Sequence, residues 1–305
     1  MEAQLPTDTP LFHQPWWLDA TGLPWQMARV EKGGVISGIW PYFPQKKYGV
    51  SLLRNPPLCP YLGPYVAFPS HLKPTRQDSF ERQIVAALLE QLPQTQVVNT
   101  ALLPGIAQLD LFAQKGFRIK PRQTFLMNLK ATSEAELLSR LQDDYRRNVR
   151  RAADELQISN APEYLEDLYR FSAINLARKG LKPHFSFPYL QNLFNAAHQR
   201  GQGALWVARK AGQPEALIWH IWDNRRAYYM MAARLTEAKD ARALTALIFH
   251  AMMHSRERGI ETFDFEGSMD PGVAHFFRGF GGRKELYLVL EKEASLLWRI
   301  KKRLL

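Results

Sequence analysis

Two widely separated stretches of this chain carry the same short pattern in the same order. Trp25, Ala28-Arg29, Gly33 and Trp40 in the first answer to Trp206, Ala208-Arg209, Gly212 and Trp219 in the second. Further along each half, Lys115-Gly116-Phe117 matches Arg278-Gly279-Phe280. Each half therefore reads hairpin, helix, strand, short helix, Gly-Phe, strand. Ordered self-similarity of this kind marks a duplicated unit that must bury the same faces twice. The expected fold is α/β, with two tandem units, each a mixed β-sheet flanked by helices. The first should span 1–130 and the second 131–305, a division that suits a chain of 305 residues.

Local signals fill in the elements. Met27 to Glu31 and Val35 to Trp40 flank Lys32-Gly33-Gly34, which predicts a hairpin. Prolines crowd the first quarter of the chain, so short strands and rigid turns are expected there, with little helix. Phe80, Ile84, Ala87, Leu88 and Gln91 keep a helical period from Arg76 to Leu92, and Pro93 stops it. Asp110 to Lys115 reads as a short helix ending at Gly116, and Thr124 to Leu129 as a strand.

In the second unit, Ser133 with Glu136 forms a capping box, and the helix it opens is expected to run to about Leu156. Helices should follow from Pro162 to Lys179, Phe187 to Arg200 and Asp240 to Arg258. Strands are expected at Ala204–Lys210, Glu215–Trp222, Ala227–Ala233, Glu261–Glu266 and Glu285–Leu290, with a short helix at Pro271–Arg278. Ala294 to Leu305 places Leu296, Leu297, Ile300 and Leu304 on one face with basic residues opposite, a pattern for a basic C-terminal helix. Such a helix suits docking on the first unit or peripheral contact with a membrane surface.

Charge points to the partner. The net charge is +11. Arginines 140, 146, 147, 150 and 151 crowd one segment, and Lys292, Arg299, Lys301, Lys302 and Arg303 another. A basic surface favours polyanions: nucleic acid, a phosphorylated cofactor or anionic lipid. The single cysteine, Cys59, excludes an intramolecular disulfide framework and a cysteine-based zinc finger. His250 and His254 are spaced as a metal pair, but no third ligand is evident, so no metal is expected. Apolar runs such as Ala243 to Met253 are too short to span a bilayer, and Met1 to Pro15 lacks the pattern of a secretory signal. The expectation is a cytoplasmic protein without an integral membrane segment.

The segment Phe263-Asp264-Phe265-Glu266-Gly267-Ser268-Met269-Asp270-Pro271 carries the most chemistry. Strand alternation puts both phenylalanines on one face and both acids on the other. Gly267 breaks the strand, and Ser268 or Asp270 caps the helix that Pro271 begins. Two carboxylates at a strand end form a general-base site if burial raises one pKa. A solvated acidic edge with an ordinary helix cap would carry the same residues.

From Phe263 to Gly282 the sequence FDFEGSMDPGVAHFFRGFGG resembles the signature end of GNAT-fold acyltransferases related to the Fem-type aminoacyltransferases. Those families show an FDFxGS-like strand, a short helix and an (R/K)xFGG-like turn. DYRRNVRRA, Asp144 to Ala152, is similar to their RRNIRKA helix. The resemblance implies an N-acyltransferase, moving an acyl group from an activated donor to an amine. The donor would be acyl-CoA as substrate, or aminoacyl-tRNA in the Fem branch, where the acceptor is a peptidoglycan precursor; otherwise it is a small-molecule amine. On this reading Glu266 is the base and Asp264 its support. Arg234, Lys239 and Arg242 hold donor phosphates, while Ser268, His275 and Arg278 orient the acceptor, near a cleft between the units. Two departures stand out. No glycine lies between Gly212 and Gly259, where GNAT proteins cradle pyrophosphate, and Gln157 to Ala161 leaves no room for the helical arm of many Fem-type enzymes. A tandem unit that only binds an anionic partner is therefore the alternative to an enzyme.

Overall fold

The structure, a computed structural model, describes residues 4–106, 108–130, 132–235 and 242–294. The chain forms two compact units: residues 1–122 with 286–305, and residues 123–285.

The first unit begins with α1 (Pro15–Ala20), β1 (Gln26–Lys32) and β2 (Val35–Tyr42). β1 and β2 form the expected antiparallel hairpin, in which Lys32 pairs with Val35 across the two glycines. β3 (Pro44–Lys47), β4 (Val50–Arg54), β5 (Tyr65–Val66), α2 (Pro74–Gln91), β6 (Val97–Ala101) and α3 (Leu109–Gln114) follow. The apolar stripe of α2 supplies Ile84, Val85, Leu88 and Leu89 to a core with Trp40, Leu53, Val98 and Phe112. Full burial of a side chain of this size contributes roughly 1.5–3 kcal/mol. Gly38 allows the helix to sit this close, because a Cβ there would lie 2.2 Å from Ile84 Cγ2.

Next come β7 (Arg118–Asn128), α4 (Glu134–Arg140), α5 (Asp143–Glu155), β8 (Leu156–Asn160), α6 (Leu165–Ala177), α7 (Phe187–Gln199), β9 (Gly203–Lys210), β10 (Gln213–Trp222) and β11 (Arg226–Arg234). The chain closes with α8 (Arg242–Glu257), β12 (Thr262–Asp264), α9 (Pro271–Arg278) and β13 (Arg283–Glu293). In the second unit the strand order is β7-β12-β11-β10-β9-β8, with only β11 and β12 parallel. On β10, Trp219 meets Phe194 of α7 while its neighbour His220 meets His254 of α8. Successive strand residues point to opposite faces, so helices cover both sides of this sheet.

The duplication is visible in the topology. β6 is parallel to β4 after α2, as β12 is parallel to β11 after α8. The closing strands, however, are exchanged. β7 ends the first repeat but pairs with β12, and β13 ends the second but pairs with β6. This exchange moves the division from the expected 130/131 to 122/123 and returns the described residues from Leu286 onward to the first unit.

Three further expectations are corrected. The helix from Ser133 does not reach Leu156 unbroken. Its capping box is present, with Ser133 Oγ accepting from Glu136 N at 3.2 Å, but Leu141 turns extended and Gln142 N donates to Gly279 O at 2.9 Å. Asp143 and Asp144 then start a new helix, where their charge suits the N-terminal dipole. The segment 157–160 is not a plain connection but β8, whose Leu156 and Ile158 pack on the second core. The strand expected to reach Glu266 stops at Asp264. The C-terminal segment proposed as a helix lies, beyond Ala294, outside the described residues.

Candidate active site

Asp264 is the last residue of β12 and is fully buried. Its Oδ1 accepts from Thr124 Oγ1 at 2.6 Å and from the backbone N–H of Glu266 at 2.8 Å. Its Oδ2 faces Arg226 Nη1 at 3.4 Å. A buried carboxylate is stable only with such partners. Arg226 is itself placed by Asp223, whose Oδ1 accepts from the N–H groups of Arg225 and Arg226 at 2.9 and 2.8 Å. The same aspartate's Oδ2 accepts from Tyr228 Oη at 3.2 Å.

Glu266 is held differently. Strand geometry has ended, and its backbone adopts φ 55°, in the left-handed region. A non-glycine residue there costs on the order of 1–3 kcal/mol. Gly267 follows at φ 65°, and a Cβ on it would lie 2.0 Å from Gln123 O, so no other residue fits against β7. The turn leaves the Glu266 residue half-buried while Oε1 is sealed from solvent without a hydrogen-bond partner. Desolvation, and then the charge of Asp264, push its carboxyl well above the ordinary range. Burial first and Glu266 second raise the Tyr229 phenol in turn. Tyr229 packs edge-on to Phe277 of α9 at 5.2 Å, and Phe265 packs on Phe277 and Phe280. An aromatic wall thus lies beside the raised carboxyl.

The helix cap is as expected. Asp270 Oδ1 accepts from Gly272 N and Val273 N, and Ser268 Oγ accepts from Asp270 N at 3.0 Å. Lys179 Nζ donates to Asp270 Oδ2 at 2.7 Å, which with the cap bonds lowers the Asp270 pKa. Ser268 thus sits two residues beyond Glu266 at the mouth of α9. His275 and Arg278 take the exposed side of α9, opposite Ala274 and Phe277, so the structure does not bring these two to the Glu266 carboxyl.

The donor residues are likewise divided. Arg234, at the end of β11, is exposed. Arg242, the first residue of α8, is engaged by Glu155 at the end of α5, Nη1 lying 3.1 Å from Oε2. Lys210 meets the same carboxylate at 3.2 Å, and both cations lower its pKa. Lys239 lies outside the described residues. His250 and His254 pack with their rings against Trp206, at 4.4 and 5.1 Å, inside the aromatic layer between α8 and the sheet.

Sequence reasoning missed Thr124, Arg226 and Tyr229. Each becomes part of the site only through sheet pairing, which sets β7 and β11 on either side of β12.

A family model described as an acetyltransferase (GNAT) domain matches residues 139–278, a span that contains β12, Glu266 and α9. That match covers a little under half of the chain. The fold is the one seen in tandem GNAT proteins. The crystal structure of FemX superposes with a TM-score of 0.65 at 14% identity, covering 91% of this chain and 91% of that one. The C-terminal domain of a putative lysylphosphatidylglycerol synthetase from Agrobacterium fabrum gives 0.55 at 14% identity, over 91% of this chain and 86% of its own. A tandem GNAT protein from the clavulanic acid biosynthesis pathway gives 0.53 at 11% identity, over 96% and 91%. No curated protein matches this chain at a significant level.

Proposed function

We propose that this protein is an N-acyltransferase in which Glu266 is the general base. The observation that carries this reading is the state of Glu266: a left-handed backbone and a buried carboxyl oxygen without a partner. Both features cost stability, and such costs gather at functional positions. As the acceptor amine bonds to the acyl carbonyl carbon, Glu266 takes its proton, and the bond from that carbon to the donor's sulfur or oxygen breaks. The leaving group carries the electron pair away and is protonated. Asp264 is a positioning residue that fixes the turn through the Glu266 N–H. Ser268, next to the cap of α9, orients the acceptor; His275 and Arg278 serve only an acceptor long enough to reach the exposed side of that helix.

The first reading of the donor is acyl-CoA, held by Arg234 and Lys239. Charged tRNA is the second reading. The engagement of Arg242 by Glu155 favours it, because a phosphate cradle without glycines loses one of its three cations. Its acceptor would then be a peptidoglycan-precursor amine.

Incubating the protein and candidate amines with a panel of acyl-CoAs and charged tRNAs, read by mass shift of the amine, tests the proposal. Transfer that requires one donor class identifies it. Absence of transfer from every donor, with retained binding of a polyanion, would leave the binding-module alternative.

A further inference from the structure

A cavity of about 600 Å³ lies in the first unit, at the amino end of β6, between the 92–96 connection, Leu53 of β4 and Lys292 of β13. It is not the duplicate of the Glu266 site. Glu266 follows the carboxyl end of β12, whereas this cavity opens beside the beginning of the corresponding strand, at Val98. Its volume is that of a small-molecule site.

The wall is mixed in a specific way. Trp40, Leu53, Val98 and Phe117 supply apolar and aromatic surface. Two lining residues carry sealed polar atoms without a hydrogen-bond partner: the indole Nε1 of Trp40, a residue 1% exposed, and the hydroxyl of Thr95. Such groups are nearly always satisfied in folded proteins, and a bound acceptor is one way to satisfy them. Thr95 itself lies outside helix and strand, in the irregular connection between α2 and β6. Lys292 adds a cation: its Nζ stands over the Phe117 ring at 5.7 Å and reaches Lys115 O at 3.4 Å, a long hydrogen bond. Glu90 also lines the cavity, which disfavours a ligand carrying several negative charges.

We propose that this cavity is a second binding site, taking a small amphipathic monocarboxylate whose aliphatic or aromatic body lies among Trp40, Leu53, Val98 and Phe117. Its carboxylate accepts from Trp40 Nε1 and Thr95 Oγ1, with Lys292 supplying the counter-charge. The site does not depend on the transfer reaction assigned to Glu266.

The test is calorimetric titration of the full chain with 4-phenylbutyrate and with the neutral 4-phenylbutanamide. The acid should bind with one-to-one stoichiometry and a Kd of about 1 mM or below, and the amide about tenfold more weakly. Thr95→Val and Lys292→Met should each weaken the acid about tenfold, in variants whose thermal unfolding matches the parent. Equal affinity for acid and amide would overturn the proposal. So would an affinity that survives both substitutions, or one that responds to Glu266→Gln instead of Thr95→Val.

Discussion

The carboxylate of Asp264 accepts the backbone N–H of Glu266 at 2.8 Å, so one acid of the FDFEGS segment shapes the turn that carries the other. Asp264 is fully buried and Glu266 half-buried with Oε1 sealed, and their fates differ. Asp264 has Thr124 and Arg226, while Glu266 Oε1 has no partner among the described residues. Two acids driven apart in this way take different roles.

The burden on Glu266 has a sign that can be checked. Its folded pKa lies above its unfolded value, so both states are protonated at low pH. As pH rises past the usual glutamate range the unfolded chain loses its proton first, and stability falls until the folded pKa is reached. Glu266→Gln should therefore raise the urea midpoint at pH 7.5 by an amount equivalent to about 1 kcal/mol or more, and leave it nearly unchanged at pH 4.

Asp264 is expected to behave oppositely. Asp264→Asn removes the charge that faces Arg226 at 3.4 Å from a fully buried position. Breaking one partner of a buried ion pair costs about 3–5 kcal/mol, so the variant should unfold at distinctly lower urea. Arg226→Met in the same background should recover part of the loss, measured as a double-mutant cycle.

Gly267 closes the turn against β7. Gly267→Ala must meet Gln123 O at a separation no real Cβ tolerates, at a φ of 65°. A loss of roughly 2 kcal/mol or more is expected from denaturant unfolding, whereas Gly212→Ala, in an open hairpin turn, should lose only the strain of its φ, about 1 kcal/mol.

Histidine burial predicts acid sensitivity in both units. His13 Nε2 donates to Gly63 O at 2.9 Å, and burial lowers the ring to about 4 despite that bond. In the second unit burial first, then neighbouring histidines and Arg258, lower His220, while burial and Arg258 lower His254 to about 4. These groups stay neutral in the fold but protonate in the unfolded chain below about 6.5. Stability should fall as pH drops from 6.5 towards 4, and His254→Gln should flatten that decline in a series of urea titrations.

Much of this was legible in the residues themselves. Asp270 before Pro271 marked the start of α9, and Gly33-Gly34 marked the first hairpin, because caps and turns are local chemistry. What escaped depends on distant partners. The break after Arg140 needs Gly279 O, which sequence spacing does not reveal. Arg242 looked available for phosphate, but Glu155 holds it from 87 residues away. Alternation placed Glu266 beside Asp264 on one strand face; instead the Asp264 side chain captured its N–H and bent the chain. β8 was missed as well: Leu156 and Ile158 alternate, but they follow directly on a helical run that was expected to reach Leu156.

The central claim rests on Glu266 as the base, and the pH dependence of single-turnover acyl transfer tests it most directly. With a saturating donor, the wild-type rate should rise with pH along an acid limb displaced above the ordinary carboxylate range, in the direction of the Glu266 shift. Glu266→Gln should lower that rate by about 10²-fold or more and remove the limb. A Glu266→Gln protein that transfers at the wild-type rate with an unchanged pH profile would contradict the assignment.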